Sequence, residues 1–418
     1  MKVVIAIDSF KGSLSSVEAG RAAAAGVRRV FPDATCVVRP LADGGEGTVG
    51  ALVDGLGGEL KRVTVTGPAG RPTVAAYGLL PDGVAVMEMA EAAGITLVSG
   101  AEKNPLYTTT YGVGEMILDA VKNGAMKFVI GIGGSATNDG GAGMLQALGV
   151  RLLDAEGRDL PPGGAALAKL ARIDKADFRF QISDFSFRIA CDVTNPLCGP
   201  NGASAVFGPQ KGATPEMVVE LDAALAHFAS VAQGAGVARE SSTGDSSSSS
   251  DSGNTSDTRV SRSSGNTGDS RKGEDVARSP GAGAAGGLGF AFKAFLNAEL
   301  VPGVELILKE TDLESAVRDA DVVITGEGRL DGQTVMGKAP IGVARLAKRY
   351  GKRVLAFSGC VGDGVEAVNA AGIDAFFPIL RKVVTLDEAL DVSGAAANLS
   401  ATVEQAFRLL RLNAEAQR

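Results

Sequence analysis

The sequence predicts an α/β protein whose two ends share one architecture and whose middle has another. Three observations carry this reading. Apolar, β-branched runs alternate with helical stretches at both ends of the 418-residue chain, as in a parallel sheet. The middle has closer-spaced strands separated by Gly and Pro turns. The 57 glycines gather with Asp, Ser, Thr and Asn just after the expected strands, where the carboxyl ends of such a sheet form a ligand crevice.

Val3 to Ile7 is an unbroken apolar run closed by Asp8, the pattern of a strand buried on both faces. Ser15-Ser16-Val17-Glu18 has capping-box spacing and opens an Ala-rich helix reaching about Val30. Cys36 to Arg39 is the next strand and completes a βαβ unit. In the middle, Arg62 to Thr66, Thr73 to Leu80 and Val84 to Met89 read as strands, followed by a strand over Phe128 to Ile132 and a helix. Met217 to Ala232 is helical by period. Late in the chain the first pattern returns: strand Val322 to Thr325, helix Ile341 to Tyr350, strand Arg353 to Phe357, helix Val365 to Ala371, strand Ala375 to Ile379, and a final helix from Ala395 to Leu412. Residues 239–280 contain almost no apolar side chain, so no burial offsets the entropy of ordering them, and they read as a disordered Ser-rich insert.

Composition excludes several functions. Lys and Arg number 41 against 48 Asp and Glu, a net charge of −7 with no basic stripe, which argues against nucleic acid. The four cysteines form no CxxC pair and the chain has one histidine, so zinc sites and His-dependent hydrolase triads are poor fits. The lone His227 lies in a helical pattern and reads as structural. Unpaired cysteines suit a reducing, cytoplasmic compartment. The opening apolar run of about five residues is too short for a signal peptide, and no window approaches the ~18 apolar residues of a spanning helix.

Five glycine-rich segments carry the candidate chemistry. Asp8-Ser9-Phe10-Lys11-Gly12-Ser13 places a carboxylate, a hydroxyl and a lysine in one turn before a helix. Ala42 to Thr48 holds Asp43 and Glu46 among glycines that allow close backbone approach. Gly131-Ile132-Gly133-Gly134-Ser135-Ala136 opens as GxGxxA but continues through Thr137, Asn138 and Asp139 rather than into a helix, which suits a wide anion-binding loop better than a dinucleotide turn. Gly281 to Gly286 matches GxGxxG without a preceding strand, and either caps a helix facing phosphate or serves close packing. Thr325 to Lys338 reads as a strand-end loop with Glu327, Arg329, Asp331 and Lys338, the residue types that hold magnesium and neutralise a transferring phosphoryl group. Gly332 to Lys338 fits GxxxxGK, yet Ala339 stands where a Walker loop needs Ser or Thr. A further strand end, Cys191 to Leu197, offers Asp192 as a base for a substrate hydroxyl or as ordinary turn chemistry.

Together these segments resemble the bacterial-type glycerate kinase family. The likeness rests on DSFKGSLSS at 8–16, ADGGEGT at 42–48, GIGGSATNDGGAGM at 131–144, DVTNPLCGPNGA at 192–203, FGPQKGA at 207–213, PGAGAAGGLG at 280–289 and TGEGRLDGQTVMGKAP at 325–340. The resemblance implies a doubly wound, Rossmann- or flavodoxin-like domain from residues 1–66 and 285–418, with a second α/β domain, 67–238, inserted between them. It implies transfer of the γ-phosphoryl group of ATP to D-glycerate with Mg2+, giving 2-phosphoglycerate, with 3-phosphoglycerate a second outcome. The roles that follow are Asp192 or Asp43 taking the hydroxyl proton, Glu327 and Asp331 near the metal, and Lys11, Arg329 and Lys338 on phosphate or carboxylate. Gly133, Gly134, Ser135, Thr137, Asn138, Gly281 and Gly283 would hold the nucleotide. The expected partners are these small molecules alone, with the enzyme a monomer or homodimer. An NAD(P)-dependent oxidoreductase of a small hydroxy acid is the runner-up; its ribose-binding acid would have to be Asp154 or Glu156. A binding protein without catalysis is a third reading.

Overall fold

The computed structural model describes residues 1–42, 44, 47–178, 184–236 and 275–416. In chain order its strands are β1 (Lys2–Ile7), β2 (Thr35–Val38), β3 (Glu59–Thr66), β4 (Pro72–Leu79), β5 (Val84–Glu88), β6 (Lys127–Gly131), β7 (Arg151–Leu153), β8 (Arg172–Asp174), β9 (Ser186–Ala190), β10 (Glu299–Val301), β11 (Val322–Leu330), β12 (Arg353–Val361) and β13 (Ala375–Pro378).

β13-β12-β11-β1-β2 form an all-parallel sheet, and β1, an interior strand, is buried from Val3 to Ile7. Its side chains alternate between two cores. Val3, Ile5 and Ile7 face the helices Ser16–Val30 and Val392–Ala416, joining Val27, Leu399 and Phe407. Val4 and Ala6 face the other way, toward Ile307, Ile341 and Val343 of the helices Gly303–Glu310 and Ala339–Arg349. Helices on both faces make the sheet doubly wound. From β1 the chain crosses one way to β2, whereas β11, β12 and β13 run the other way, so the switch point lies between the carboxyl ends of β1 and β11. Ligands bind at such points because the outgoing connections diverge and leave a crevice.

The second sheet runs β10-β9-β6-β5-β4-β3, parallel from β5 to β10 and antiparallel across β3, β4 and β5. One face packs Tyr77, Met87, Phe128, Ile130 and Phe187 against the helices Tyr111–Lys122, Pro215–Gly234 and Ala284–Leu296. The opposite face, through Val84, Val86 and Val129, shares one apolar cluster with Val4, Ala6 and Val323 of the first sheet. Leu52 and Val53 of the helix Thr48–Leu56 belong to that cluster with Val304 and Ile307, so a helical layer common to both sheets joins them.

Three expectations need correction. β3 pairs along its length with β4, and Phe290 and Phe292 are buried in the core of the second sheet, so strand partnership changes after Gly58 and at Pro302 rather than at 66 and 285. Of the expected Ser-rich insert, residues 239–274 lie outside the described residues, but 275–280 are structured: Asp275 caps the single turn Val276–Arg278, and Val276 is buried. Finally, Thr325 to Leu330 is not a loop. It continues β11 by pairing with Ala356 to Val361 of β12. Among the described residues no helix is long and apolar enough to cross a membrane.

The helices Ser16–Val30 and Val392–Ala416 approach closely at Gly26, where a Cβ would lie 2.3 Å from the Ser400 carbonyl oxygen. Gly26→Ala should therefore lower the unfolding free energy by about 1–3 kcal/mol through overpacking, against the sign of intrinsic helix propensity, which favours Ala by about 1 kcal/mol. Urea denaturation reads the difference directly.

Candidate active site

The carboxyl ends of β6 and β9 and the start of the helix Gly303–Glu310 meet around Gly44. Its φ of 86° suits glycine, and a Cβ there would come 2.8 Å from Gly303 Cα and 3.1 Å from Ala190 Cβ. A Cβ on Gly131, at the end of β6, would lie 2.6 Å from the Gly44 carbonyl oxygen. The missing side chains are what allow these segments to touch. Asp192, two residues beyond β9, completes the join: its Oδ1 accepts the Gly303 N–H at 2.9 Å, a carboxylate on the positive end of the helix.

A hollow of about 300 Å3 opens here, walled by Gly44, Gly133, Gly134, Asp192, Ala284 and Ala285. Gly133 and Gly134 are its exposed rim, and a Cβ on Gly133 would meet nothing within 4 Å. Lys211 closes the floor. It is 2% exposed, and its Nζ donates to Ser135 Oγ and to the Thr137 carbonyl, both at 2.6 Å. Burial pushes its pKa down to about 7, an effect the charge of Asp139 opposes. Asp139 is itself fully buried and satisfied: Oδ1 accepts from Gly141 N, and Oδ2 from Thr110 N, Thr110 Oγ1 and Gly143 N. Burial nonetheless holds its carboxyl above the usual range.

A second cleft, of about 830 Å3, lies on the other side of Asp192, between the helices Gly303–Glu310 and Ala339–Arg349. Lys309, Lys338, Arg345 and Arg349 line it, with Glu305, Asp312 and Glu314 as counter-charges. At its rim, Lys338 Nζ stands 3.7 Å from Glu327 Oε2 and 3.9 Å from Asp331 Oδ1. Thr334 Oγ1 donates to Glu327 Oε1 at 2.8 Å, the Gln333 N–H donates to Asp331 Oδ1 at 2.9 Å, and Arg329 Nε pairs with Asp331 Oδ2 at 3.4 Å.

Matched against known families, residues 3–411 fit the model described as the glycerate kinase family. The chain belongs to the glycerate kinase family. It is 48% identical to a glycerate kinase of Halalkalibacterium halodurans over 93% of each chain, and 45% identical to the glycerate 2-kinase of Escherichia coli K12 over 98% of this chain and 99% of the relative. The crystal structure of a chain described as glycerate kinase 2 from Salmonella typhimurium LT2 superposes with a TM-score of 0.83 at 44% identity, covering 99% of both chains. The α/β fold with parallel sheets and the assignment as a kinase of this family agree with the expectation from sequence.

Within this glycerate kinase family member, the expected site residues divide. Asp192 borders both hollows, Gly133, Gly134 and Ser135 line the smaller, and Lys338 lines the larger. Glu327, Asp331 and Arg329 gather at Lys338, with Arg329 turned outward at 63% side-chain exposure. Lys11 is exposed in the turn after β1, its backbone N 3.5 Å from where a Gly328 Cβ would lie, and so stands over the switch point. Asp43 lies outside the described residues. Thr137 and Asn138 are fully buried and line neither hollow; Thr137 instead supports Lys211 from below. Gly281 and Gly283 also stay out of the walls. Gly283 donates its N–H to the Asn195 carbonyl, and a Cβ on it would lie 2.2 Å from the Pro196 carbonyl oxygen, so packing against the 191–196 turn explains the glycines. Asp154 and Glu156 pair with Arg158 in a surface turn, and the helix after the 131–141 loop starts only at Ala142. His227 Nε2 lies 2.7 Å from the Leu170 carbonyl oxygen, a structural role.

Lys211 is the residue that the sequence reading did not single out for a role. Its signal was local: it sits between Gly208 and Gly212, where a Cβ would lie 2.3 Å from the Ser204 carbonyl oxygen and 2.1 Å from that of Lys103 respectively. Two glycines that must fit against backbone hold the turn inward and carry the lysine with it. No group of three or more His, Cys, Asp or Glu able to hold a metal occurs among the described residues. Glu327 and Asp331 stand 3.7 and 3.9 Å from the same Lys338 Nζ, two neighbouring hard-oxygen donors of the type that a magnesium ion takes.

Asp139 ties the 131–144 turn to Thr110 through two donors, Thr110 N and Oγ1, and braces the turn itself through two more, Gly141 N and Gly143 N. Asp139→Asn turns one acceptor into a donor facing donors, and should lower the unfolding free energy by about 1–3 kcal/mol as measured in urea.

Proposed function

We propose that the enzyme transfers the γ-phosphoryl group of ATP to D-glycerate, giving 2-phosphoglycerate and ADP in the cytoplasm. The observation that carries this reading is the place of Asp192, the wall common to two hollows of unequal size. The smaller suits a three-carbon acid, which moves Gly133, Gly134 and Ser135 from the nucleotide role expected from sequence to the acceptor side, and the larger, with Lys338 and Arg345 on its wall, suits a nucleotide. The name of the Escherichia coli relative, glycerate 2-kinase, favours the 2-hydroxyl as acceptor. The four cysteines are free, in keeping with a reducing compartment.

In this mechanism Asp192 is held by the Gly303 N–H on Oδ1, which orients the carboxylate, and Oδ2 takes the proton of the attacking hydroxyl. The acceptor oxygen bonds to the γ-phosphorus as the bond to the β–γ bridging oxygen breaks, and ADP leaves with that electron pair. Catalysis of this kind is mainly positioning and charge neutralisation. Lys338 and Arg329 supply positive charge along the rim and Lys11 adds to it from the turn over Gly328, and Glu327 and Asp331 would hold the metal. When bound there, magnesium would offset the negative charge that develops on the transferring phosphoryl group.

Asp192→Asn keeps the acceptor for Gly303 and removes the base. Turnover of D-glycerate with ATP should fall by ~10² to 10⁴ with the thermal midpoint nearly unchanged; turnover within about tenfold of the parent removes Asp192 from this role. Phosphorus NMR of the product, followed in the same assay, reports the donor and the position phosphorylated.

A further inference from the structure

We infer that Lys211 is the anion anchor of the smaller hollow: its ammonium receives an anionic oxygen of the bound substrate, either the carboxylate of the three-carbon acid or the terminal phosphate of the nucleotide. The inference rests on the reading of this hollow as the phosphoryl-acceptor site. It goes further by assigning the recognition of negative charge there to a residue buried beneath the glycine rim rather than to the exposed lysines and arginines.

The geometry supports it. An ammonium has three N–H donors in tetrahedral arrangement. Ser135 Oγ and the Thr137 carbonyl take two of them at 2.6 Å, and both partners lie on the turn that walls the hollow. The third has no protein partner among the described residues, while Lys211 itself borders the hollow. The same turn carries more buried polar capacity than the protein satisfies: Thr137 Oγ1 and Asn138 Oδ1 are also without partners. A structural lysine so deep would be expected to meet a carboxylate, yet Asp139 already receives four other donors and forms no ion pair with it.

The charged groups facing Lys211 decide the sign of its pH dependence. From the 131–141 turn comes Asp139, from the end of β9 comes Asp192, and from residue 103 a lysine stem packs beside Gly212. The walls from residues 207–210 and 284–285 bring none, being Phe207, Gln210, Ala284 and Ala285. Burial outweighs the charge of Asp139 and leaves the amine titrating near 7. Above that pH the empty site is mostly neutral, and an arriving anion stabilises the charged form. Binding should therefore take up a proton, and affinity should weaken as pH rises through about 7.

Isothermal titration at pH 8, in two buffers of different ionisation enthalpy, tests this on the full chain with D-glycerate and, separately, with a non-hydrolysable ATP analogue. The parent should take up about half a proton or more with the ligand whose anion reaches Lys211, and the ligand that shows uptake identifies the source of the anion. Lys211→Met should abolish uptake and weaken that ligand by about 10–100-fold. Lys211→Arg should restore much of the affinity with no uptake, which a purely structural role would not do. Binding of both ligands to the parent without uptake overturns the assignment, as does Lys211→Met binding both within about twofold of the parent. Binding of neither ligand by the parent overturns the reading on which it rests.

Discussion

The architecture depends on a place where backbone touches backbone with no side chain between. Gly44 lies against Gly131, Ala190 and Gly303, so a loop, two strand ends and a helix start converge within van der Waals reach. Any Cβ at Gly44 or Gly131 would force these segments apart. The convergence brings Asp192 within hydrogen-bonding distance of Gly303 and sets one carboxylate between two hollows. Burial elsewhere follows from ordinary alternation in the strands, but the functional geometry follows from this contact, because it fixes the second sheet's carboxyl edge against the helix layer that the first sheet shares.

Below it lies a polar interior of unusual density. Asp139, Lys211, Ser135, Thr137, Asn138 and Ser204 are all buried, and Asn138 Nδ2 donates to Ser204 Oγ at 2.9 Å. Fully satisfied networks of this kind rigidify a fold, whereas incomplete ones carry a desolvation penalty. Here the carboxylate receives four donors, while the lysine has two acceptors among the described residues and borders the open hollow.

Much of this was legible in the sequence, for identifiable reasons. The buried run Val3 to Ile7 and the Ser15–Glu18 capping box are local signals, and both stand as read. The gathering of Gly with Asp after strands pointed to Asp192, Gly133 and Gly134 because packing alone seldom calls for glycine and carboxylate together at a strand end. Non-local pairing defeated the reading elsewhere. Thr325-Gly326-Glu327-Gly328 carries turn composition, yet β12, some 30 residues later, supplies the hydrogen bonds that make it a strand. Lys211 is buried by partners 76 and 74 residues away, a distance over which no periodicity operates. The glycines at 281 and 283 fit a phosphate motif by spacing, but the nearby 191–196 turn uses them for packing.

The length of β11 and β12 has one more implication. β1 stops pairing at Gly326 and β13 at Ser358, while β11 and β12 continue to Leu330 and Val361. Beyond the sheet they form a two-stranded ribbon projecting past its neighbours, with Glu327 at its base and Arg329 further along it. Leu330, at the far end of this ribbon, is fully buried in the apolar cluster that both sheets share, so the ribbon is anchored at its tip as well as at its base. Glu327 and Arg329 lie between these two fixed points, and the strand that carries them sets their spacing.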